Sequence, residues 1–137
     1  MKITITANTP LREIIAAFSQ AWPHLRLAFY TRPHAEHRGT DPKFSINNLD
    51  QTVEATTGVA IQPVLFDITE NMSVWEVEQL FEKDLGLHVN IFRHSGNVWL
   101  QTTVSDRLTL RQQEERGVAS DHPVEPDAEI PDYREIE

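Results

Sequence analysis

Cysteine is absent from this chain. Its absence excludes disulfide frameworks, thiolate zinc sites, iron–sulfur clusters and a cysteine nucleophile. Glycine is scarce, with only five residues, which leaves no place for a phosphate-cradling loop or a dinucleotide fingerprint. No serine nucleophile elbow occurs. No apolar run approaches the ~20 residues that span a bilayer. The opening Met1-Lys2-Ile3-Thr4-Ile5-Thr6 alternates apolar and polar residues instead of forming a continuous apolar signal. These absences predict a cytoplasmic protein with no cofactor, no membrane contact and no recognisable enzyme motif.

Positive charge is also in short supply. Twelve Lys and Arg face 21 Asp and Glu, a formal net charge of −9. From 1 to 44 six cations outnumber three carboxylates; from 45 to 116 five face eleven; from 117 onward Arg134 alone faces seven. This balance opposes broad contact with nucleic acid or an anionic membrane. The 137 residues match the size of one domain, and the composition predicts an α+β domain over 1–116 and an acidic, proline-containing tail over 117–137. The tail carries Ile130, Tyr133 and Ile136 between charges, the pattern of a short linear motif, while its three prolines oppose a packed structure.

Within 1–116 short strands alternate with helices. Lys2–Thr6 has a strand's period of two. Thr9-Pro10 reads as an N-cap followed by a first-turn proline. Leu11, Ile14, Ile15 and Phe18 then share a helix face until Pro23, and Leu25, Leu27 and Phe29 alternate as the next strand. The order recurs: Val64–Thr69 as strand, Ser73-Val74-Trp75-Glu76 as a capping box, and Val74, Val77, Leu80, Phe81 and Leu85 as a buried stripe. Gly86 stops that helix, and Leu87, Val89 and Ile91 alternate after it. Leu11, Ile14 and Phe18 match Val74, Val77 and Phe81 at a shift of 63, and the strand that follows matches at 62. The pattern predicts a mixed sheet with helices on one side, built from two degenerate strand–helix–strand units with right-handed crossovers. Thr31 to Lys43 reads as a loop, Lys43–Ile46 as a short strand, and Asp50–Thr57 as a helical turn ended by Gly58.

The second unit extends into a β-hairpin around Ser95-Gly96. That turn places Phe92 opposite Trp99 and Asn90 opposite Gln101 on the outer face, with Ile91 opposite Leu100 inside. Arg93 falls on the core side, where its guanidinium needs a partner. Thr109-Leu110-Arg111-Gln112 is a further capping box, opening a helix that Gly117 is expected to stop. Through Phe92-Arg93-His94-Ser95-Gly96-Asn97-Val98-Trp99-Leu100, Thr109-Leu110 and Gln112-Gln113, the chain resembles an uncharacterised family of small bacterial proteins. The resemblance implies no activity and carries over no catalytic residue. The family pattern has an acidic pair and a Trp before the Thr-Leu helix, where this chain reads Ser105-Asp106-Arg107-Leu108.

Two constellations stand out. Asn90, Phe92, Trp99 and Gln101 form an aromatic platform ringed by amides, the composition of a binding surface for a protein partner or the opposite subunit of a homodimer. His34-Ala35-Glu36-His37 offers two imidazoles three residues apart that could share a metal, with the intervening carboxylate orienting water and a third ligand from His24 or Asp41. Glu76, Glu78 and Glu82 read as the solvated side of their helix. His88 and His94 share a strand face but stand some 20 Å apart at about 3.3 Å per residue, too far for one site. The leading expectation is a non-catalytic protein-interaction or adaptor module. Its rivals are a small metal-assisted hydrolase using His34 and His37, and an acidic inhibitor or immunity protein that meets a basic partner through charge.

Overall fold

The apolar spacing of the first unit does produce a helix, α1 (Leu11–Ala21), with Leu11, Ile14 and Phe18 fully buried. Its N-cap is Pro10, one residue later than expected, because the Thr9 hydroxyl instead accepts from the Thr6 N–H at 2.9 Å. A computed structural model describes residues 1–121; the tail motif at Ile130, Tyr133 and Ile136 lies outside them. The other elements are β1 (Lys2–Ile5), β2 (Leu25–Tyr30), a 3-10 turn (Pro42–Phe44), α2 (Val53–Thr57), β3 (Val64–Asp67), α3 (Val74–Leu85), β4 (His88–Ser95), β5 (Val98–Gln101) and α4 (Leu110–Ser120). Among the described residues no helix is long and apolar enough to cross a membrane.

The capping boxes form as read. Ser73 and Glu76 exchange hydrogen bonds of 3.1 and 3.0 Å at the start of α3, and Thr109 and Gln112 do the same at 3.1 and 2.9 Å for α4. Gly86 and Gly58 end α3 and α2 with φ of 70° and 76°, values that favour glycine. Gly117 does not stop α4, which continues to Ser120. Its lack of a side chain serves packing instead: a Cβ there would lie 2.5 Å from the Cβ of His24. The region read as a strand near Lys43 is the 3-10 turn, with a single bridge from Ser45 to Tyr30.

The fold is α+β with two sheets, β1-β3 and β2-β4-β5, the second extended by the β4–β5 hairpin. The strands of one unit do not pair with each other through a crossover. The first unit gives one strand to each sheet, the second gives β3 to one and the β4–β5 hairpin to the other, and all pairings are antiparallel. The registers carry the internal repeat. Moving one partner up by 62 and the other down by 62 turns Leu27↔Ile91 into Phe29↔Val89, and Lys2↔Asp67 into Ile5↔Val64.

The repeat reaches further than the side-chain pattern suggested. In the first unit the Leu11, Arg12, Val53 and Glu54 N–H groups donate to the carbonyls of Gln51, Leu49, Thr9 and Ala7. In the second, Val74, Trp75, Leu110 and Arg111 donate to Leu108, Asp106, Met72 and Glu70 in the same arrangement. Each unit therefore ends in a helix (α2 or α4) whose N-terminus and that of the unit's long helix satisfy one another's orphan N–H groups. Phe81 joins the sheets, its ring 6.2 Å from Phe29 of β2 and 4.7 Å from Phe66 of β3. One apolar cluster takes in residues of both units.

The hairpin turns one residue later than the Ser95-Gly96 reading, which moves the pairing register by two. Ser95 pairs with Val98 around Gly96-Asn97, and Gly96 has φ 60° at the first central position, the place where a II′ turn needs glycine. The shift keeps every side chain on its expected face and changes its opposite number. Phe92 faces Gln101, and Trp99 faces His94.

Candidate functional site

β5 is shorter than β4, so part of the β4 edge has no neighbouring strand. Unpaired edge groups need partners. Thr102 supplies one, donating to the Ile91 carbonyl through its N–H (3.1 Å) and its hydroxyl (2.8 Å). Two further groups are met by side chains. Glu78 Oε2 accepts the Ile91 N–H at 3.0 Å, and His34 Nε2 lies 3.1 Å from the Val89 carbonyl. Glu78 Oε1 and His34 Nε2 are 3.4 Å apart, and their side chains are 4 % and 6 % exposed.

His34 Nδ1 faces the Ala35 carbonyl at 3.0 Å, so a carbonyl stands against each ring nitrogen, an arrangement that favours the protonated ring. Burial alone would lower its pKa. The hydrogen bond and charge of Glu78 overcome that and push it up to about 9. Burial pushes the Glu78 carboxyl up, while His34 and the Ile91 N–H hold it down. One end of the wholly buried Asn90 amide lies 2.7 Å from His34 Nε2, and the other lies 3.1 Å from the Thr40 hydroxyl. This ion pair fastens the segment after β2 to the second unit.

Three residues farther along that segment, His37 adopts φ 63°, a left-handed backbone that costs a non-glycine residue about 1–2 kcal/mol. Asp106 holds it there. Its Oδ2 accepts the His37 N–H at 2.9 Å, and its Oδ1 lies 2.7 Å from His37 Nδ1. The Asp106 side chain is wholly buried, and Oδ1 has no hydrogen-bond partner, because the His37 contact, though close, lacks hydrogen-bond geometry. Glu36 completes the group: one ligand atom from each of Glu36, His37 and Asp106 lies within 4.8 Å of the others. Glu36 and His37 are 39 % exposed on their side chains, so the group opens to solvent on one side. Arg107 Nε stands 3.9 Å from Glu36 Oε2.

The structure thus divides the two loop histidines. His37 joins a cluster with metal-ligand spacing, whereas His34 is engaged by Glu78 and packs edge-on to Trp75 at 5.7 Å. The third ligand considered from sequence was His24 or Asp41; the cluster uses Asp106. His24 lies elsewhere, with Nδ1 2.5 Å from Glu114 and Nε2 2.7 Å from Asp121. Burial opposes its charge, but those two carboxylates raise its pKa. Glu78 is not on a solvated face. It falls at i+4 from Val74 and i−3 from Phe81, and that spacing already marked it as part of the buried arc. Asp106 gave no periodic signal in the sequence.

The aromatic platform is altered as well. Asn90 is buried under the segment that carries Thr40 and so offers no outer surface. Gln101 Nε2 donates to the Thr40 carbonyl at 3.4 Å. Phe92 and Trp99 stay partly exposed. Trp99 lies between His94, at 5.1 Å, and the Arg26 guanidinium, also at 5.1 Å. The core-facing Arg93 donates to Gln113 Oε1 at 3.2 Å. No family model, curated protein or solved structure matches the chain.

Proposed function

We propose that the chain binds a first-row divalent metal ion, such as zinc or manganese, through Glu36, His37 and Asp106, and uses it in a hydrolytic reaction. The observation that carries this reading is the wholly buried Asp106 carboxylate, whose Oδ1 lacks a hydrogen-bond partner while lying 2.7 Å from an imidazole nitrogen and close to a second carboxylate. Leaving such an oxygen unsatisfied is costly, and a cation shared by the three side chains would satisfy it. One imidazole and two carboxylates suit zinc or manganese. Three protein ligands leave a coordination position for water, whose pKa a bound ion lowers toward neutrality. Solvent reaches that side past Glu36 and His37.

Equilibrium dialysis against zinc and manganese, followed by elemental analysis, tests the reading. One equivalent is expected on the wild type and a loss of at least tenfold in affinity on His37→Ala, with His34→Ala retaining the ion. Equal metal content in wild type and His37→Ala would count against it.

A second reading, a protein-interaction module, is favoured by the partly exposed Trp99 with Arg26 and His94 against its ring, the residue types found at interface hot spots. Trp99→Ala should lose captured partners without loss of fold, and an unchanged set of partners would count against this surface.

A further inference from the structure

The internal repeat allows each buried group of one unit to be compared with its counterpart. Arg93 follows the last residue of the β2–β4 ladder that the repeat maps back onto β2, and its counterpart, 62 residues earlier, is Thr31. Gln113, on α4, corresponds to Thr56 on α2, because those helices start 57 residues apart. In the second unit Arg93, 3 % exposed, donates from its guanidinium to Gln113 Oε1 and so links β4 to α4. In the first unit both counterparts are short, and both line a cavity of about 230 Å³. α2 has five residues where α4 has eleven, which leaves the mouth of this cavity open.

The lining is polar where a guanidinium needs acceptors. Gln51 and Thr56, both in the wall, are joined by a 2.9 Å hydrogen bond from the Gln51 amide nitrogen to the Thr56 hydroxyl, and Gln51 is an amide side chain like Gln113 of the second unit. Tyr30 and His88 also line it. His88 Nδ1 is buried without a hydrogen-bond partner and lies 3.5 Å from Glu82 Oε1, which places a carboxylate beside that histidine. The volume is below the roughly 300–1,000 Å³ that encloses a drug-sized molecule and suits one side chain. We infer that this cavity binds a guanidinium group supplied from outside, in the place that Arg93 occupies in the second unit. Its source is either free arginine or an arginyl side chain of a partner protein.

Nuclear magnetic resonance titration of the full chain tests this with N-acetyl-arginine N-methylamide, free L-arginine and, as control, N-acetyl-lysine N-methylamide. Saturable shifts are expected at Thr31, Thr56 and His88, with roughly millimolar affinity for at least one arginine probe and at least tenfold weaker binding of the lysine probe. Tighter binding of the capped arginine assigns the site to a protein side chain; tighter binding of the free amino acid assigns it to the metabolite. Thr31→Arg supplies the missing group within the chain and should abolish the shifts. Gln51→Leu should weaken binding about tenfold and does not depend on Thr31→Arg folding. Unsaturable or scattered shifts, equal binding of lysine, or wild-type affinity in a folded Thr31→Arg variant would each overturn the inference.

Discussion

The two units share a backbone frame and differ in what they bury. In the first, the long helix carries Ile15 at the position that Glu78 occupies in the second, and Leu49 stands where the second unit has Asp106. Arg93, Asn90 and Gln113 are further buried polar groups of the second unit, while from the first unit the buried polar residues are Thr9 and Thr40. The frame is therefore maintained by helix entries and ladders that any suitable apolar sequence satisfies. The carboxylates are an addition to one copy. The first unit contributes the complement: the segment after β2 brings His34 to Glu78 and His37 to Asp106. A junction assembled from histidines of one repeat and the buried carboxylates of the other is what the difference between the copies teaches.

The largest effect expected is on the shared frame. Phe81→Ala removes the ring that touches both sheets and should cost about 3–5 kcal/mol in urea unfolding, whichever unit is probed. Next is the junction. Glu78→Leu leaves His34 buried without its counter-charge and the Ile91 N–H without an acceptor, a loss of about 3 kcal/mol; the double variant with His34→Leu should recover much of it. Equal losses in the single and double variants would show that the pair does not act as a unit.

The same junction should be sensitive to pH. The His34 pKa is raised in the folded chain to about 9 from 6.5, so its contribution is fully present below pH 6.5 and fades as pH rises through 9. Urea unfolding at pH 6, 8 and 10 should show a decline in the wild type that is shallower in His34→Gln. The smallest effect concerns the caps. Thr109→Ala should cost about 1 kcal/mol, and Thr52→Ala less, because α2 has only five residues to support.

Much of the frame was legible from sequence because its signals are local. Capping boxes, the glycine stops of α2 and α3, the helix stripes and the shift of 62 or 63 all come from neighbouring residues, and each appears in the structure. Sheet pairing was not legible, since strand–helix–strand spacing is compatible both with a crossover and with the exchange of strands between units seen here. The hairpin register moved by two because both Ser95-Gly96 and Gly96-Asn97 are acceptable turns, and side-chain alternation does not distinguish them. At the candidate site, His37 and Glu36 were visible as a pair. Asp106 was not, because it comes from 69 residues away through the helix-entry hydrogen bond of Trp75. Glu78 was legible in principle, and its charge obscured its place on the buried stripe.

The junction is tested most directly by crystals of the full chain grown with manganese and measured for anomalous scattering. The account predicts one peak within coordination distance of Glu36, His37 and Asp106, absent in Asp106→Asn. A peak at other side chains, or none at a concentration that saturates the dialysis experiment, would contradict it.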